Sequence, residues 1–414
     1  MALNLPSLRH RDFRNYTLGR LVGNTGASVQ QLAIAWQVYE ISGQSSLHVG
    51  MLGLVRVVPL VLFSLVGGLA ADHVDRRKLM VWTRLAMIVS TSLLLALTAS
   101  GQITVTLVYT IVAFDAIARA FDGPARAAIM VNMVPQEDLP NALSVNGIAW
   151  RLSDVLGPVI IAAILVFGDV GWGYAFSVLA AVVLITVLLT MKPVAQAAPV
   201  TSVGSVREAL WQIGDGFRFL KRSQVVRNTM VLDFWATFFS SADALFPAFA
   251  GPVLNLGPAG YGLLAGSSGV GALIAAVYLA LRPTVDRQGA LVIGMVGVYG
   301  LTTVLFGVST SIWAAMFFLA CTGAADMVST VMRQTIRSLA TPDEMRGRMG
   351  GVSVLFQVGG PQLGDAEAGV LAKQFGDRAS VVIGGLACLG VAGIYALSGR
   401  LRSYRHADSR SQGT

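Results

Sequence analysis

The residues able to do chemistry in this 414-residue chain are charges placed where charges are costly. Asp115, Arg119 and Asp122 are spaced four and three apart within the apolar run 103–124, so they share one face of a helix. Arg151 and Asp154 lie in the run 141–167, Asp233 and Asp243 in 228–252, Asp326 in 311–332 and Arg56 in 47–71. Asp365 and Glu367 follow in 350–372. Ionisable groups inside apolar segments face a cavity or a partner, because the alternative is a bare charge in hydrocarbon. An apolar setting raises a carboxyl's hold on its proton, and a neighbouring arginine lowers it. A carboxylate moved between the two settings takes up and releases a proton. Asp115, Asp154, Asp233, Asp243 and Asp326 are the expected proton-coupling groups. For each, the competing reading is a permanent ion pair that fixes helix packing.

The elements that must position these groups are membrane helices. Hydrophobic residues make up 54% of the chain and charged residues 13%, about half the share of a soluble domain. A bilayer crossing needs about 20 mostly apolar residues. Twelve such runs are present: 15–41, 47–71, 80–100, 103–124, 141–167, 171–191, 228–252, 259–281, 289–309, 311–332, 350–372 and 379–399. The expected fold is an all-α membrane protein of the cell (inner) membrane with twelve transmembrane helices. The net charge of +8 reflects topology. Arg9, Arg11 and Arg14, then Arg76, Arg77 and Lys78, then Arg282 and Arg287, then Arg337, Arg346 and Arg348 fall in alternate loops or at the N-terminus. Lys373 and Arg378 are the exceptions on the other side. Such a bias retains loops in the cytoplasm, so both termini are expected there and no nucleic-acid partner is implied.

The longest loop, 192–227, divides the runs six and six. Within it Ser205 and Glu208 match a capping box, and Val206, Leu210, Ile213, Phe217 and Leu220 form an apolar helical face opposed by Arg218, Lys221 and Arg222. An amphipathic helix on the inner leaflet is expected, with a helix packed on protein as the alternative. The domains expected are bundles over 1–191 and 228–400, the linker 192–227 and a disordered tail over 401–414.

The two halves echo each other. "PARAAIMVNMVPQEDLPNAL" (124–143) parallels "VMRQTIRSLATPDEMRGRMG" (331–350), and "VLGPVIIAAIL" (155–165) parallels "QLGDAEAGVLA" (362–372). Two pseudo-symmetric six-helix halves that rock about a site between them are a transporter architecture.

"GLAADHVDRR" (68–77) resembles the loop between helices two and three of the major facilitator superfamily, with His73 and Asp75 as departures from the usual arginine and glycine. Asp75 before two basic residues, with "WQVYEISGQSS" (36–46) and "PARAAI" (124–129), resembles its enterobactin-exporter-like branch. The resemblance implies that the first, fourth, seventh and tenth helices line the path. Polar stripes lie on the first (Arg20, Asn24, Ser28, Gln31) and the tenth (Thr322, Asp326, Ser329, Arg333). Asn24, Ser28, Gln31, Arg56, Arg119, Arg151, Thr237 and Thr322 are the expected substrate-cavity residues. Gly68, Asp72, Asp75, Arg76, Arg77 and Arg126 are expected to form a conformational latch. In it, Asp72 meets the N-terminus of the eleventh helix, Arg76 and Arg77 hold carboxylates, and Arg126 pairs with Asp72 or Asp75. Arg119 resembles the antiporter-motif arginine of helix four, without the motif's flanking glutamine.

The implied function is proton-coupled export of a siderophore or an amphipathic drug-like molecule. An importer or facilitator on the same fold fits the same cavity residues. A membrane enzyme would want a nucleophile–base pair or metal ligands, whereas His10, His48, His73, His406, Cys321 and Cys388 are scattered. A non-transporting receptor or scaffold is the fourth reading. No G-x-x-x-x-G-K-[ST] occurs, so the energy source is an ion gradient or the substrate's own gradient, with no cofactor and no metal. The expected partners are the small-molecule substrate, protons and the lipid bilayer, and the chain is expected to act as a monomer.

Overall fold

The computed structural model describes residues 6–131, 133–191, 206–281, 286–398 and 401–402, and among them every regular element is helical. The helices are α1 (Arg11–Ile41), α2 (Ser46–His73), α3 (Arg76–Ala99), α4 (Val105–Val131), α5 (Leu139–Phe167) and α6 (Val170–Thr190), followed by α7 (Val206–Arg222) and α8 (Gln224–Ser240). They continue as α9 (Gly257–Ala280), α10 (Gln288–Val308), α11 (Ile312–Ala340), α12 (Asp343–Phe375) and α13 (Asp377–Leu397). Eight of them, α2, α3, α5, α6, α9, α10, α11 and α13, are long and apolar enough to cross a membrane. The others are more polar or shorter: four charges in α4, repeated Gln and Asn in α1, seven charges in α12, and only 17 residues in each of α7 and α8.

Eleven of the expected runs each become one continuous helix; the run 228–252 does not. Ser241 turns extended after α8, a 3-10 turn follows at Asp243–Leu245, and a π turn at Phe249–Val253 contains Gly251 outside helical geometry. Pro247 and Pro252 lack the N–H that a continuous ladder needs. Asp243 therefore sits in a turn and not on the helix that carries Asp233, which corrects the expected single helix.

The chain forms two compact units, Met1–Ile41 with Val58–Ala209, and Ser42–Val57 with Leu210–Thr414. The first half of α2 is thus counted with the second unit. In the first unit α1 packs on α5 and α6, and α3 on α4 and α6. In the second, α8 packs on α12 and α13, and α10 on α11 and α13. The pairing scheme repeats, as the sequence echo implies.

Glycine sets how close these helices come, since lipid tails supply no hydrophobic drive between them. A Cβ at Gly67 would collide with the Ala120 carbonyl and the Phe121 backbone, so α2 rides directly on α4. Among the described residues, none comes within 4 Å of the Cβ position of Gly68. On the other half of α2, Gly53 meets the Gln362 carbonyl of α12.

The amphipathic helix is present as α7, although Ser205 lies outside the described residues, as do residues 403–414 and the side chain of Glu208. Of its expected apolar face, Leu220 is buried with Val226, Met230, Met349 and Val352, Phe217 is exposed, and the side chains of Val206, Leu210 and Ile213 lie outside those described.

Gly67→Ala is expected to lower the thermal midpoint of detergent-purified protein, reflecting an overpacking cost of about 1–3 kcal/mol, whereas Gly68→Ala leaves it unchanged. Thermal unfolding of the two adjacent variants checks this.

Candidate functional site

The first unit contains a cavity of about 280 Å³. Asn24, Ala27, Ser28 and Gln31 of α1 form one wall, and Trp150, Ser153 and Asp154 of α5 another. Arg84 of α3 and Arg119, Asp122 and Gly123 of α4 complete its lining. Asn24, Ser28, Gln31 and Arg119 are thus brought together as expected residues, along with Asp154. Gly157 allows α5 to sit against Ser28, which holds the two walls at this spacing.

The trio on α4 divides its work. Arg119 Nε donates to Asp115 Oδ2 at 2.6 Å, and its Nη2 reaches Gln30 Oε1 at 3.3 Å. Gln30 is in turn held by Thr91 of α3, its Nε2 donating to Oγ1 at 2.9 Å. Asp122 turns to α3, where Arg84 Nη2 donates to Oδ2 at 2.9 Å and Thr83 Oγ1 lies 3.4 Å from Oδ1. The Arg84 and Asp122 side chains are 8% and 4% exposed, so this ion pair is almost entirely out of solvent. Arg151 lies 3.5 Å from Asp154. The cavity wall is therefore polar but balanced in charge. Such a site offers hydrogen bonds and the indole of Trp150 to an organic ligand, and its volume falls just short of ligand pockets, which start at about 300 Å³.

Arg333 organises the second unit. Its side chain is 2% exposed, and its Nη2 lies 2.7 Å from Asp233 of α8 and 3.5 Å from Asp326 on its own helix. Ser329 Oγ and Thr330 Oγ1 accept from it at 2.9 Å each. The expected proton-coupling residues Asp233 and Asp326 thus share one guanidinium. The Asp243 carboxylate belongs to the turn after α8.

Two expected cavity residues serve packing here. The Thr237 hydroxyl donates back to the Asp233 carbonyl at 2.8 Å and lies against Gly360. The Thr322 hydroxyl lies 2.8 Å from Thr302 Oγ1, tying α11 to α10. Arg56 is on the half of α2 beside α12, one turn beyond Gly53. Near it, Ser241 Oγ donates to Asp365 at 2.5 Å.

Of the expected latch, Asp75 N-caps α3, accepting from the backbone N–H of Arg77 at 2.9 Å and of Lys78 at 3.0 Å. Arg77 holds carbonyls where carboxylates were expected: Nε donates to Leu188 at 2.7 Å and Nη2 to Leu189 at 2.6 Å. These are the orphan acceptors of the α6 C-terminus, which attract a cation. The side chains of Asp72, Arg76 and Arg126 lie outside those described. Arg378, an exception to the basic-loop pattern, donates to the Gly307, Ser309 and Val253 carbonyls at 3.3, 2.7 and 3.4 Å, so its charge serves chain ends.

A bundle of apolar helices that pairs its arginines with aspartates, several of them on the wall of a polar cavity, has the architecture of a membrane transporter. The model of the transmembrane secretion effector family matches residues 3–414, and the chain belongs to that family of major-facilitator-type transporters. It is a multi-pass inner-membrane protein and not an enzyme. It is 25% identical over 407 residues to the enterobactin exporter of Salmonella choleraesuis strain SC-B67, covering 97% of this chain and 96% of that one. The fold is similar to a nucleoside transporter, with a TM-score of 0.75 and 10% identity over 94% of this chain and 99% of that one. It is also similar to a peptide transporter, with a TM-score of 0.74 and 11% identity over 94% of each chain.

Arg333→Gln leaves Asp233 and Asp326 together without their cation, and a loss of about 3–5 kcal/mol is expected, seen as aggregation or a collapsed thermal midpoint. Asp326→Asn costs less, because Arg333 keeps its 2.7 Å contact with Asp233. Fluorescence-detected size exclusion after heating ranks the two.

Proposed function

We propose that the protein exports a siderophore or an amphipathic drug-like organic molecule in exchange for protons, by alternating access of two six-helix bundles over 1–191 and 228–400. The observation that carries this reading is the charge-balanced polar cavity inside the first unit. A ligand with hydrogen-bonding groups and an aromatic or apolar body fits its Asn24, Gln31 and Trp150 surfaces. The relative that is an exporter of enterobactin, aligned over nearly the whole chain, supports the outward direction and the siderophore class. The alternate basic loops support twelve crossings with both termini in the cytoplasm, and the chain acts as a monomer.

Proton exchange acts on carboxylates beside arginines. Protonation of Asp326 loosens it from Arg333 while Asp233 stays bound; loss of that proton restores the shared clamp. Asp115 and Asp154 stand in the same relation to Arg119 and Arg151 at the cavity, and Asp243 is the fifth candidate. In the latch of Gly68, Asp72, Asp75, Arg76, Arg77 and Arg126, Asp75 and Arg77 act on helix ends, and Asp72 breaks its contact as the inner side opens.

The test compares cell contents and spent medium with and without the protein, in iron-replete and iron-starved cells. A compound that accumulates inside and disappears outside on removal is the expected result. A compound left unused in the medium favours an importer instead. Asp72→Asn is expected to reach the membrane folded yet restore little export to cells lacking the protein; full restoration would falsify the latch.

A further inference from the structure

Helix α7 has one face that the fold leaves outside. Leu220 and Gly216 point into protein, Gly216 lying against Val352 and the Arg348 backbone at the start of α12. At 100° per residue, Trp211, Arg218 and Arg222 fall on the opposite face, with Lys221 beside it and Asp215 at the edge toward Arg348. Trp211 is 62% exposed and the Arg218 guanidinium lies 5.1 Å from its ring centre. Asp215 bridges Arg218 at 2.9 Å and Arg348 at 3.3 Å, so it neutralises at most one of the cations around it. Lys221 and Arg222 are exposed with no carboxylate partner among the described ion pairs.

The position of this face fixes what it meets. Only Ser223 separates α7 from α8, a helix whose Val226 and Met230 are buried in the second unit. The last turn of α7, with Lys221 and Arg222, is therefore held at the end of a helix of the membrane bundle. An indole with a guanidinium on it, beside further cations at that level, has the chemistry of a bilayer headgroup zone. Clustered basic residues next to a membrane helix draw anionic lipid, each contributing about 1 kcal/mol near the surface.

From this we infer that the Trp211–Arg218–Arg222 face of α7, with Lys221, seats the headgroups of anionic phospholipid. The lipid clamps α7 against the start of α12 by adding an outer anchor to the Leu220 and Asp215–Arg348 contacts inside.

The experiment is hydrogen exchange on the full chain in nanodiscs of phosphatidylcholine alone and of phosphatidylcholine with phosphatidylglycerol. Phosphatidylglycerol is expected to slow exchange over residues 211–222 about tenfold, within what three cations at an anionic leaflet supply. The Arg218→Gln/Lys221→Gln/Arg222→Gln variant loses that slowing while α8 exchanges as before. Arg348→Gln, which touches the protein side, exchanges faster in both lipids and keeps the phosphatidylglycerol effect. Equal exchange in the two lipids overturns the inference, as does an effect that survives the triple substitution or vanishes in Arg348→Gln. Protection that follows the number of protein copies per disc also overturns it, making the face a contact between copies.

Discussion

A charge inside an apolar helix has to be neutralised where it stands, and the rest of this structure depends on how that is done. Desolvating an ion costs several kcal/mol even after relaxation, so an arginine or aspartate here is tolerated only with a partner in hydrogen-bonding reach. Arg84 meets Asp122 across α3 and α4, Arg119 meets Asp115 along α4, and Arg333 gathers Asp233 and Asp326. Each pairing named here stays within one compact unit. The cations and carboxylates thus serve twice, fixing which helices are neighbours and leaving a polar interior in which an organic ligand can be held.

That pairing works because the backbones are close. Gly67 on Ala120 brings α2 onto α4, Gly157 on Ser28 brings α5 onto α1, and Gly364 meets the Phe238 carbonyl where α12 packs on α8. Between them run neutral ties such as Gln30–Thr91 and Gln37–Thr98, at 2.9 and 2.8 Å. Such bonds average about 0.6 kcal/mol each in membrane proteins, so they set register more than they set stability. The charged pairs have the larger consequence when broken.

Much of the helical layout is legible in the sequence, because a span must be a long apolar run and a loop between spans carries the charge. The break after Ser240 is not, since Pro247 and Pro252 lie within an apolar stretch that hydropathy alone joins to α8. The cavity residues on α1 and α4 can be read from polar spacing along one helix. Arg84 cannot be read that way: its partner is on another helix, and its one signal is an arginine just inside the start of the run 80–100. The Thr237 hydroxyl bonds to its own helix and that of Thr322 to a neighbouring one, contacts that a polar position in an apolar run does not reveal. Asp75 and Arg77 belong to a charge cluster whose family pattern is recognisable, yet their partners are backbone groups that no side-chain pattern reveals.

Arg84 and Asp122 are the pair on which to measure whether membrane-embedded charges are held by partners within their own unit. Thermal midpoints of purified Arg84→Gln, Asp122→Asn and the double variant form a double-mutant cycle. Each single change leaves a buried charge alone and should cost about 3–5 kcal/mol, while the double variant should recover most of that loss. Single variants as stable as the parent, or a double variant whose loss is the sum of the two, would contradict the account.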